Sequence, residues 1–258
     1  MLIFSGCDLQ YATGSGGPEL VWSDEFNGSE VDPSRWNTYV GDGCPGLCGF
    51  GNNELQYYSD RAENVSVKDG KLIITAIHDS LESRAYSSAK LLTKDLKHWK
   101  YGRIEVMAKL PQGKGTWPAI WMLPEEKKYG GWPRSGEIDI MEHVGYNPGM
   151  IYGTVHTESF NHMKGTQKGD SIMVADASQS FHEYAIEWRK DQIDWFIDGE
   201  PYHSFRNTGK NSDDWPFDQP FHLILNLAVG GSWGGSRGID DSIWPQSMEI
   251  DYVRVYSF

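Results

Sequence analysis

The chain has 258 residues and carries 36 acidic against 23 basic residues, a formal net charge of −13. No stretch rich in Lys and Arg offers a surface for phosphates or anionic lipid, which disfavours nucleic acid and acidic polymers as ligands. No apolar run reaches the roughly 18 residues of a membrane helix, and the length suits one all-β domain with a sizeable core. The eleven Trp and thirteen Tyr residues fill a core or offer flat platforms to ligands.

The amino terminus has two interpretations. Residues 1–18 are either a truncated export or lipoprotein signal or a flexible tail, and residues 19–258 are expected to form the main domain. The stretch MLIFSGC ends in a cysteine, Cys7, as bacterial lipoprotein signals do, but it lacks a basic start and a full apolar core. An export signal predicts a secreted, extracellular protein, with Cys7 as the site of a lipid anchor.

Two further cysteines lie close together in the Gly-rich segment GDGCPGLCGFG. Its Gly and Pro residues allow a turn tight enough to join Cys44 and Cys48 in a disulfide, which would indicate an oxidising compartment. Zinc binding is the alternative, although no second Cys or His pair stands at ligand spacing nearby.

Strand patterns dominate the rest of the chain. Runs of β-branched and aromatic residues bounded by turn residues predict strands at 22–26, 71–77, 101–110, 181–188, 192–198, 221–229 and 248–256. Asp69-Gly70 and Asp198-Gly199 are typical hairpin turns. No long helical period occurs, so helix should be confined to short turns. We therefore predict an all-β fold, an antiparallel β-sandwich of jelly-roll topology with its terminal strands paired.

The segment GEIDIMEHVG contains three acids that do not fit one plain strand. Glu137 and Asp139 share a face, but the next residue on that face is Met141, and the third acid, Glu142, comes one position later. A β-bulge near 140–141 would return Glu142 to the same face as the other two acids. The alternative is that Glu142 turns away and the acids are only solvated, although acids crowded on one face repel one another.

Three aligned acids suit the cleavage of a glycosidic bond. With the bulge, the backbones of Glu137 and Glu142 would lie roughly 13 Å apart, and their side chains could bring the carboxyls to roughly 5 Å, the separation of retaining glycosidases. Asp139, hydrogen-bonded between them, would help to keep one acid protonated.

The chain resembles glycoside hydrolase family 16, specifically its laminarinase-like endo-β-1,3-glucanases. The motifs that carry the resemblance are WSDEFNG, GFGNNELQYY, DGKLIITA, YGRIEVMAKLP, GTWPAIWMLP, GEIDIMEHVG, GTVH, FHEYAIEW, IDWFIDG, LNLAVGG and MEIDYVRVY. The resemblance implies a jelly roll whose concave sheet forms the glycan cleft, with Glu137 as nucleophile, Glu142 as acid/base and Asp139 as their assistant. Lichenase-like members carry EIDIE, so Met141 favours the β-1,3-active branch.

The same resemblance implies a set of substrate-binding residues. Trp117 and Trp121 would stack on sugars, Trp233 would line the cleft wall, and Asn53 and His156 would hold sugar hydroxyls and support the acid/base Glu. Core packing is the alternative for the Trp residues and for His156.

Two positions depart from the family pattern. Lys90, also assigned to the substrate site, stands where many laminarinases have Arg, so bidentate contacts to hydroxyls would be lost. Met107 likewise replaces a frequent Arg. The subsite preferences of the family are therefore not carried over to this chain, although its catalytic strand matches.

Family members often hold a structural calcium on the convex face. Here its ligands would be the main-chain carbonyls of Glu25 and Gly70 and the carboxylate of Asp251, an ordinary turn being the alternative. We expect no cofactor for catalysis.

The expected function is a retaining endo-β-1,3-glucanase acting on laminarin, with mixed-linkage β-1,3-1,4-glucan as a further substrate, and working as a monomer. One alternative is a related galactan hydrolase of the agarase or carrageenase kind. The other is a non-catalytic β-glucan-binding protein, which would need the Trp residues but not both Glu137 and Glu142.

Overall fold

The structure, a computed structural model, describes residues 17–258. The export-signal interpretation and the lipid anchor at Cys7 concern residues 1–16 and lie outside the described residues. Strand β1 begins at Glu19, where the domain was expected to start.

Strands account for most of the regular structure. In chain order they are β1 (Glu19–Asp24), β2 (Asn37–Thr38), β3 (Gln56–Tyr58), β4 (Val65–Lys68), β5 (Lys71–Ala76), β6 (Tyr86–Ser88), β7 (Lys90–Leu92), β8 (Gly102–Lys109), β9 (Thr116–Pro124), β10 (Glu137–His143), β11 (Met150–His156), β12 (Lys168–Met173), β13 (His182–Trp188), β14 (Gln192–Ile197), β15 (Glu200–Arg206), β16 (Phe221–Val229) and β17 (Gln246–Ser257). The helices of the described chain are two 3₁₀ turns, Cys48–Gly51 and His162–Lys164, as the missing helical period predicted.

The strands form two large antiparallel sheets, which confirms the predicted sandwich. One has eight strands in the order β15-β14-β13-β8-β17-β5-β4, with β1 added beside β17. The other has seven, in the order β12-β11-β10-β9-β16-β7-β2, and β3 and β6 form a short parallel pair. The catalytic-strand candidate β10 thus lies inside the seven-stranded sheet, with a neighbour on each side.

The core lies between the two sheets and follows the period of two. Along β8, buried and partly exposed residues alternate, with Ile104 and Val106 completely buried. Ile120, Met122 and Ile138 contribute from the opposite sheet. Alternation of this kind gives a strand one apolar face, and the burial of such faces drives the two sheets together.

Strand β16 does not alternate, because all nine of its residues are buried. A strand in the middle of a sheet is buried throughout only when both faces are covered. At β16, therefore, the face of the seven-stranded sheet turned away from the core is covered as well. We call it the site face; Asn226 is among the buried polar residues on it.

The sequence located the long strands well and the short ones poorly. The predicted strand at 221–229 has the same bounds as β16, and those at 71–77 and 192–198 are each one residue too long. Strands β2, β3, β6 and β7 span two or three residues, too few to show a hydrophobic period. The strand predicted at 22–26 instead runs from Glu19 to Asp24.

Two local predictions are also confirmed. The terminal strands pair, with Asp24 opposite Val253, and Cys44 and Cys48 form a disulfide. Within residues 17–258, no helix is long and apolar enough to cross a membrane.

Candidate active site

Strand β10 carries an extra residue between Asp139 and Glu142. Against β11, Asp139 pairs with Thr154 and Glu142 with Tyr152, so three steps along β10 match two along its partner. The pairing with β9 shifts at the same place, between Asp139 and Met141. The bulge expected from the sequence is therefore confirmed.

The bulge separates apolar from acidic side chains. Ile140 is 2% exposed and Met141 is completely buried, and both join the core although they are consecutive. Glu137 and Glu142 are partly exposed and contact tryptophans of the site face. Because Ile140 and Met141 both point inward, the alternation of faces shifts by one residue at the bulge. Glu137 and Glu142, on either side of it, therefore both point away from the core.

The opposite sheet anchors the bulge. Trp195, on β14, is completely buried, and its Nε1 donates a 2.8 Å hydrogen bond to the main-chain carbonyl of Asp139. Gly153 lies between the two β11 residues that pair across the bulge. A Cβ at Gly153 would come within 2.5 Å of Trp195 Cδ1, so only glycine leaves room for this indole.

Glu137 is held by a tryptophan and faces a histidine. The indole Nε1 of Trp132 donates to Glu137 Oε2 at 2.9 Å. His156 Nε2 lies 3.8 Å from Glu137 Oε1 and 3.4 Å from Asp139 Oδ2. The ring of Trp132 also packs near His156, with 6.0 Å between centroids. His156 therefore lies beside the predicted nucleophile, whereas the sequence expectation linked it to support of the acid/base.

Glu142 has an equivalent donor on the neighbouring strand β9. Trp117 Nε1 donates to Glu142 Oε1 at 3.0 Å. Trp233 packs edge-on against Trp117, with centroids 5.6 Å apart, and against Tyr152, at 5.0 Å. Glu142 thus contacts Trp117 directly and pairs with Tyr152 across the strands, and Trp233 packs on both of these rings.

Burial raises the pKa of all three carboxyls, to about 8 each. The negative charge of Asp139 raises the pKa of Glu137 and Glu142 further, while His156 and the indole donors act in the opposite direction. Carboxylates this close cannot all ionise near neutral pH, so the site retains a proton. This is the requirement for one acid and one base in the same site.

Asp139 acts on its neighbours through charge. Its side chain is 2% exposed, and its Oδ2 has no hydrogen-bond partner among residues 17–258. The sequence expectation of a hydrogen bond at each side of Asp139 is not met at this oxygen.

Trp121 lies on the same face as Trp117, as the spacing of four predicts. It pairs with Asp139 across β9 and β10, and its Nε1 donates to Asn226 Oδ1 at 2.6 Å. Lys90 Nζ lies 4.8 Å from the Trp121 ring centroid and 4.9 Å from that of Phe50. The predicted residues Lys90, Trp117 and Trp121 are thus on one face with the acids.

Asn53 and Met107 lie farther out. Asn53 is exposed, and its Nδ2 donates to Ser232 Oγ at 2.9 Å, next to Trp233 in the chain. Met107 belongs to β8 of the eight-stranded sheet, between buried neighbours that face the core. It therefore faces away from the site, and the expectation that it alters subsite preference is wrong.

One group of side chains in the described chain has the spacing of metal ligands. Ligand atoms of Glu137, Asp139 and His156 all lie within 4.8 Å of one another. The same atoms are the ones that acid-base chemistry requires. The raised pKa values of Glu137 and Asp139 also favour protons over a cation near neutral pH.

Several site residues were not identified from the sequence. Trp132 was outside every predicted strand, Tyr152 follows a short polar turn, and Trp195 belongs to the other sheet. Each reaches the acids through packing across the fold. The dipeptide Trp132-Pro133 so close to GEIDIME was the one local signal available for Trp132.

One bulged strand of the β-sandwich carries two glutamates with an aspartate between them. Each glutamate accepts a hydrogen bond from an indole, and the same face carries tryptophan rings on which a sugar could stack. This combination defines a β-sandwich glycoside hydrolase. The model of glycosyl hydrolases family 16 matches residues 52–254, and the chain belongs to that family.

Similar proteins agree with this assignment. A beta-glucanase of Rhodothermus marinus is 53% identical over 247 residues, covering 92% of this chain and 85% of the relative. The X-ray structure of the laminarinase from the same organism superimposes with a TM-score of 0.89 at 51% identity, over 93% of this chain and 97% of that one. A non-specific endo-beta-1,3(4)-glucanase of family GH16, co-crystallized with 1,3-beta-D-cellotriosyl-glucose, has a TM-score of 0.89 at 45% identity, covering 95% and 96%.

Proposed function

We propose that the protein is a retaining endo-β-1,3-glucanase that hydrolyses laminarin-type glucans and also accepts mixed-linkage β-1,3-1,4-glucan. The observation that carries the proposal is the bulge in β10, which places Glu137 and Glu142 on one face with Asp139 between them. The relatives named above, a laminarinase and a non-specific β-1,3(4)-glucanase, support this substrate class.

The first half of the reaction uses both glutamates. The carboxylate of Glu137 attacks the anomeric carbon, while the carboxyl of Glu142 gives its proton to the departing glycosidic oxygen. The bond to the leaving sugar breaks as the glycosyl ester on Glu137 forms. Trp132 holds Glu137 in place for attack by its hydrogen bond to Oε2.

The second half returns the enzyme to its starting state. Glu142, now a carboxylate, takes a proton from water as the water oxygen attacks the anomeric carbon, and Glu137 leaves as a carboxylate. Two inversions give net retention. The negative charge of Asp139 raises the pKa of Glu142 and so favours its return to the protonated form.

The substrate would lie over the aromatic residues of the site face. We assign stacking to Trp117 and Trp121, the wall to Trp233, and hydroxyl contacts to Asn53, Lys90 and His156. Trp117 and Trp121 are partly exposed and lie beside the acids, as stacking platforms must.

Two measurements test the proposal: the anomeric configuration of the first product and the set of polysaccharides that the protein hydrolyses. Proton NMR of laminarin hydrolysis should show the β anomer first; an α anomer would refute retention. Products from laminarin, lichenan, curdlan and agarose, compared side by side, should place laminarin first. Agarose as the preferred substrate would favour a galactan hydrolase, and binding without products would favour a glucan-binding protein.

We also propose a structural calcium ion beside β17. Strands β5 and β1 pair end to end along one edge of β17, because Ile250 lies opposite Leu72 and Val253 opposite Asp24. The gap between the two strands falls at Asp251, which is exposed and lies where the pairing with β8 shifts.

The residues at this gap fit the ion. Gly70 comes directly before β5 and Glu25 directly after β1, so both lie at the strand ends that border the gap, and we assign their main-chain carbonyls to the ion. Arg254 engages the Glu25 carboxylate at 2.8 and 3.0 Å, which leaves the main-chain carbonyl available. One carboxylate and main-chain carbonyls are the hard oxygen ligands that calcium prefers.

We further propose that the protein is exported and works as a monomer. The Cys44–Cys48 disulfide supports an oxidising compartment. Cell fractionation with mass spectrometry of Cys7 should find the protein outside the cytoplasm with a lipid on this residue, and light scattering should give the monomer mass. Thiols reduced at both Cys44 and Cys48 in cells would contradict the export proposal.

A further inference from the structure

The segment around β3 contains a buried carboxylate that the reaction above does not use. Glu54 is 6% exposed, and no Lys, Arg or His nitrogen of the described chain lies within 4.0 Å of its carboxylate. Three neutral groups surround it instead: Gln56 Nε2 at 2.7 Å, Asn52 Nδ2 at 3.3 Å and Tyr58 OH at 3.4 Å. A buried carboxylate is tolerated only where donors of this kind compensate for lost water.

The hydrogen bonds continue from Tyr58 to the site face. Asn226 Nδ2 donates to the hydroxyl oxygen of Tyr58 at 3.1 Å, and Asn226 Oδ1 accepts from Trp121 Nε1 at 2.6 Å. Asn226 and Tyr58 are 6% and 1% exposed. We call the chain Trp121, Asn226, Tyr58, Glu54 the indole relay.

All donors of the indole relay point the same way. Trp121 can only donate, so Asn226 must present its oxygen to the indole and its NH₂ to Tyr58. The Tyr58 hydroxyl, having accepted from Asn226, directs its proton to Glu54. The relay ends at the carboxylate of Glu54, which can only accept hydrogen bonds. Each of the preceding groups therefore has to donate toward Glu54, which fixes its orientation.

Lys90 joins the relay through charge and ring contacts. Its Nζ lies 4.8 Å from the Trp121 ring, 5.9 Å from that of Tyr58 and 4.9 Å from that of Phe50. Burial lowers the pKa of Lys90, and the negative charges of Glu54 and Glu137 counteract this effect. Glu54 therefore helps to keep the ammonium charged above the Trp121 ring.

We propose that Glu54 is a positioning residue for glycan binding, which holds the ring of Trp121 and the ammonium of Lys90 in their substrate-ready orientation without touching the sugar. This inference rests on the proposed function for its meaning, since Trp121 and Lys90 are the glycan contacts. The relay spans β3, β16 and β9, so it fixes the part of the site on the β9 side of Glu137 and Glu142.

The first test is the kinetics of Glu54→Gln on laminarin oligosaccharides. Gln can present an amide where the carboxylate accepted, which breaks the direction of the relay with little change in volume. We expect KM to rise about tenfold, the effect of a lost hydrogen bond to a charged group, and kcat to change less than about threefold because the acids are untouched. Glu63→Gln, at an exposed glutamate, is the matched control.

The second test distinguishes the relay from a general structural effect. Trp121→Phe keeps a ring and removes the donor, so it should raise KM in the same direction. Since both changes break one relay, the KM of the double variant should rise by clearly less than the product of the two single effects. Independent, multiplying effects would overturn the proposal. Should Glu54→Gln fail to fold, Tyr58→Phe interrupts the same relay and takes its place in the cycle.

The third test does not depend on turnover. In a ¹H–¹⁵N spectrum, the indole resonance of Trp121, identified by its loss in Trp121→Phe, should move in Glu54→Gln and stay in place in Glu63→Gln. An unmoved resonance overturns the relay even where laminarin is hydrolysed. A moved resonance without laminarin hydrolysis by the wild type would support the relay and reject the proposed function.

Discussion

Two indole N–H groups hold the two glutamates of the site, one each. Trp132 donates to Glu137 and Trp117 donates to Glu142, at 2.9 and 3.0 Å. A donor to a carboxylate favours the ionised form, and each bond accordingly lowers the pKa of its glutamate. Because the two acids have opposite roles, losing each donor should affect opposite sides of the pH profile.

We therefore predict distinct pH profiles for two tryptophan variants. Trp132→Phe raises the pKa of Glu137, which must be ionised to attack, so the acidic limb of kcat/KM moves to higher pH. Trp117→Phe raises the pKa of Glu142, which must be protonated, so the alkaline limb moves to higher pH. Activity at the optimum should fall roughly tenfold in each. If the limbs move in the reverse assignment, the roles of the two glutamates are exchanged.

A second prediction at the residue scale concerns stability. The pKa of Glu142 is raised from 4.5 to about 8 in the folded protein. Between these pH values the folded state holds a proton that the unfolded chain has released, so stability falls as pH rises. Glu142→Gln removes this titration. It should be more stable than wild type by about 1 to 3 kcal/mol at pH 8, and equally stable near pH 4.

Urea denaturation at both pH values measures this difference. Glu126→Gln, at an exposed glutamate, serves as the control and should follow wild type at both. A stability difference between Glu142→Gln and wild type that is the same at pH 4 and pH 8 would mean that the pKa of Glu142 is not raised by folding.

Glu142→Gln should also lower the rate of laminarin hydrolysis by about three orders of magnitude or more.

At the scale of the element, the bulge in β10 determines the position of the chemistry. The bulge arises from one extra residue in β10. It is stabilised by the hydrogen bond that Trp195, on the opposite sheet, donates to the main-chain carbonyl of Asp139. Gly153 makes the space for that indole. The orientation of the acids thus depends on a residue of β11 and one of β14 that never meet the substrate.

Gly153→Ala should therefore damage both stability and activity. The added methyl group would lie 2.5 Å from Trp195 Cδ1 and 2.4 Å from Tyr202 OH, so the indole must move. We expect a loss of about 1 to 3 kcal/mol, the usual cost of overpacking, together with lower kcat. Gly46→Ala, where a Cβ meets nothing within 4 Å, should leave melting temperature and kcat unchanged. Wild-type behaviour of Gly153→Ala would show that Trp195 does not anchor the bulge.

At the scale of the whole molecule, the last strand, β17, lies inside the eight-stranded sheet and pairs with β1, from the other end of the described chain, and with β5 and β8. Strand β1 closes the amino-terminal end beside β5, and the proposed calcium lies at their junction. An ion there would bind the folded chain and not the unfolded one, and it would stabilise by mass action. The proposed ion would lie beside the eight-stranded sheet, whereas the three acids lie on β10 of the seven-stranded sheet.

Chelation should thus lower stability and leave the chemistry intact. With EGTA the melting temperature should drop by about 5 °C, while kcat on laminarin at low temperature stays the same. Asp251→Asn should begin at the lower melting temperature and respond little to EGTA, whereas Asp60→Asn should behave as wild type. An equal response of Asp251→Asn and wild type to EGTA would place the ion elsewhere or exclude it.

Features that depend on neighbours in the chain could be predicted from the amino-acid sequence. The period of two predicted the long strands, and the one-residue delay of Glu142 predicted the bulge, because side-chain direction along a strand is local. The family motifs, ordered along the chain, identified the sandwich and the three acids. The Cys44–Cys48 disulfide followed from a short, flexible loop.

The side chains that surround the acids became known only from the packing of the folded chain. Trp132, Tyr152 and Trp195 come from a loop, a neighbouring strand and the opposite sheet, and Glu54 reaches Trp121 through three hydrogen bonds across separate strands. The direction of an indole N–H depends on packing between distant segments, and no local period encodes it. The same is true of the raised pKa values, since burial by residues from the whole chain, and not the acids themselves, produces them.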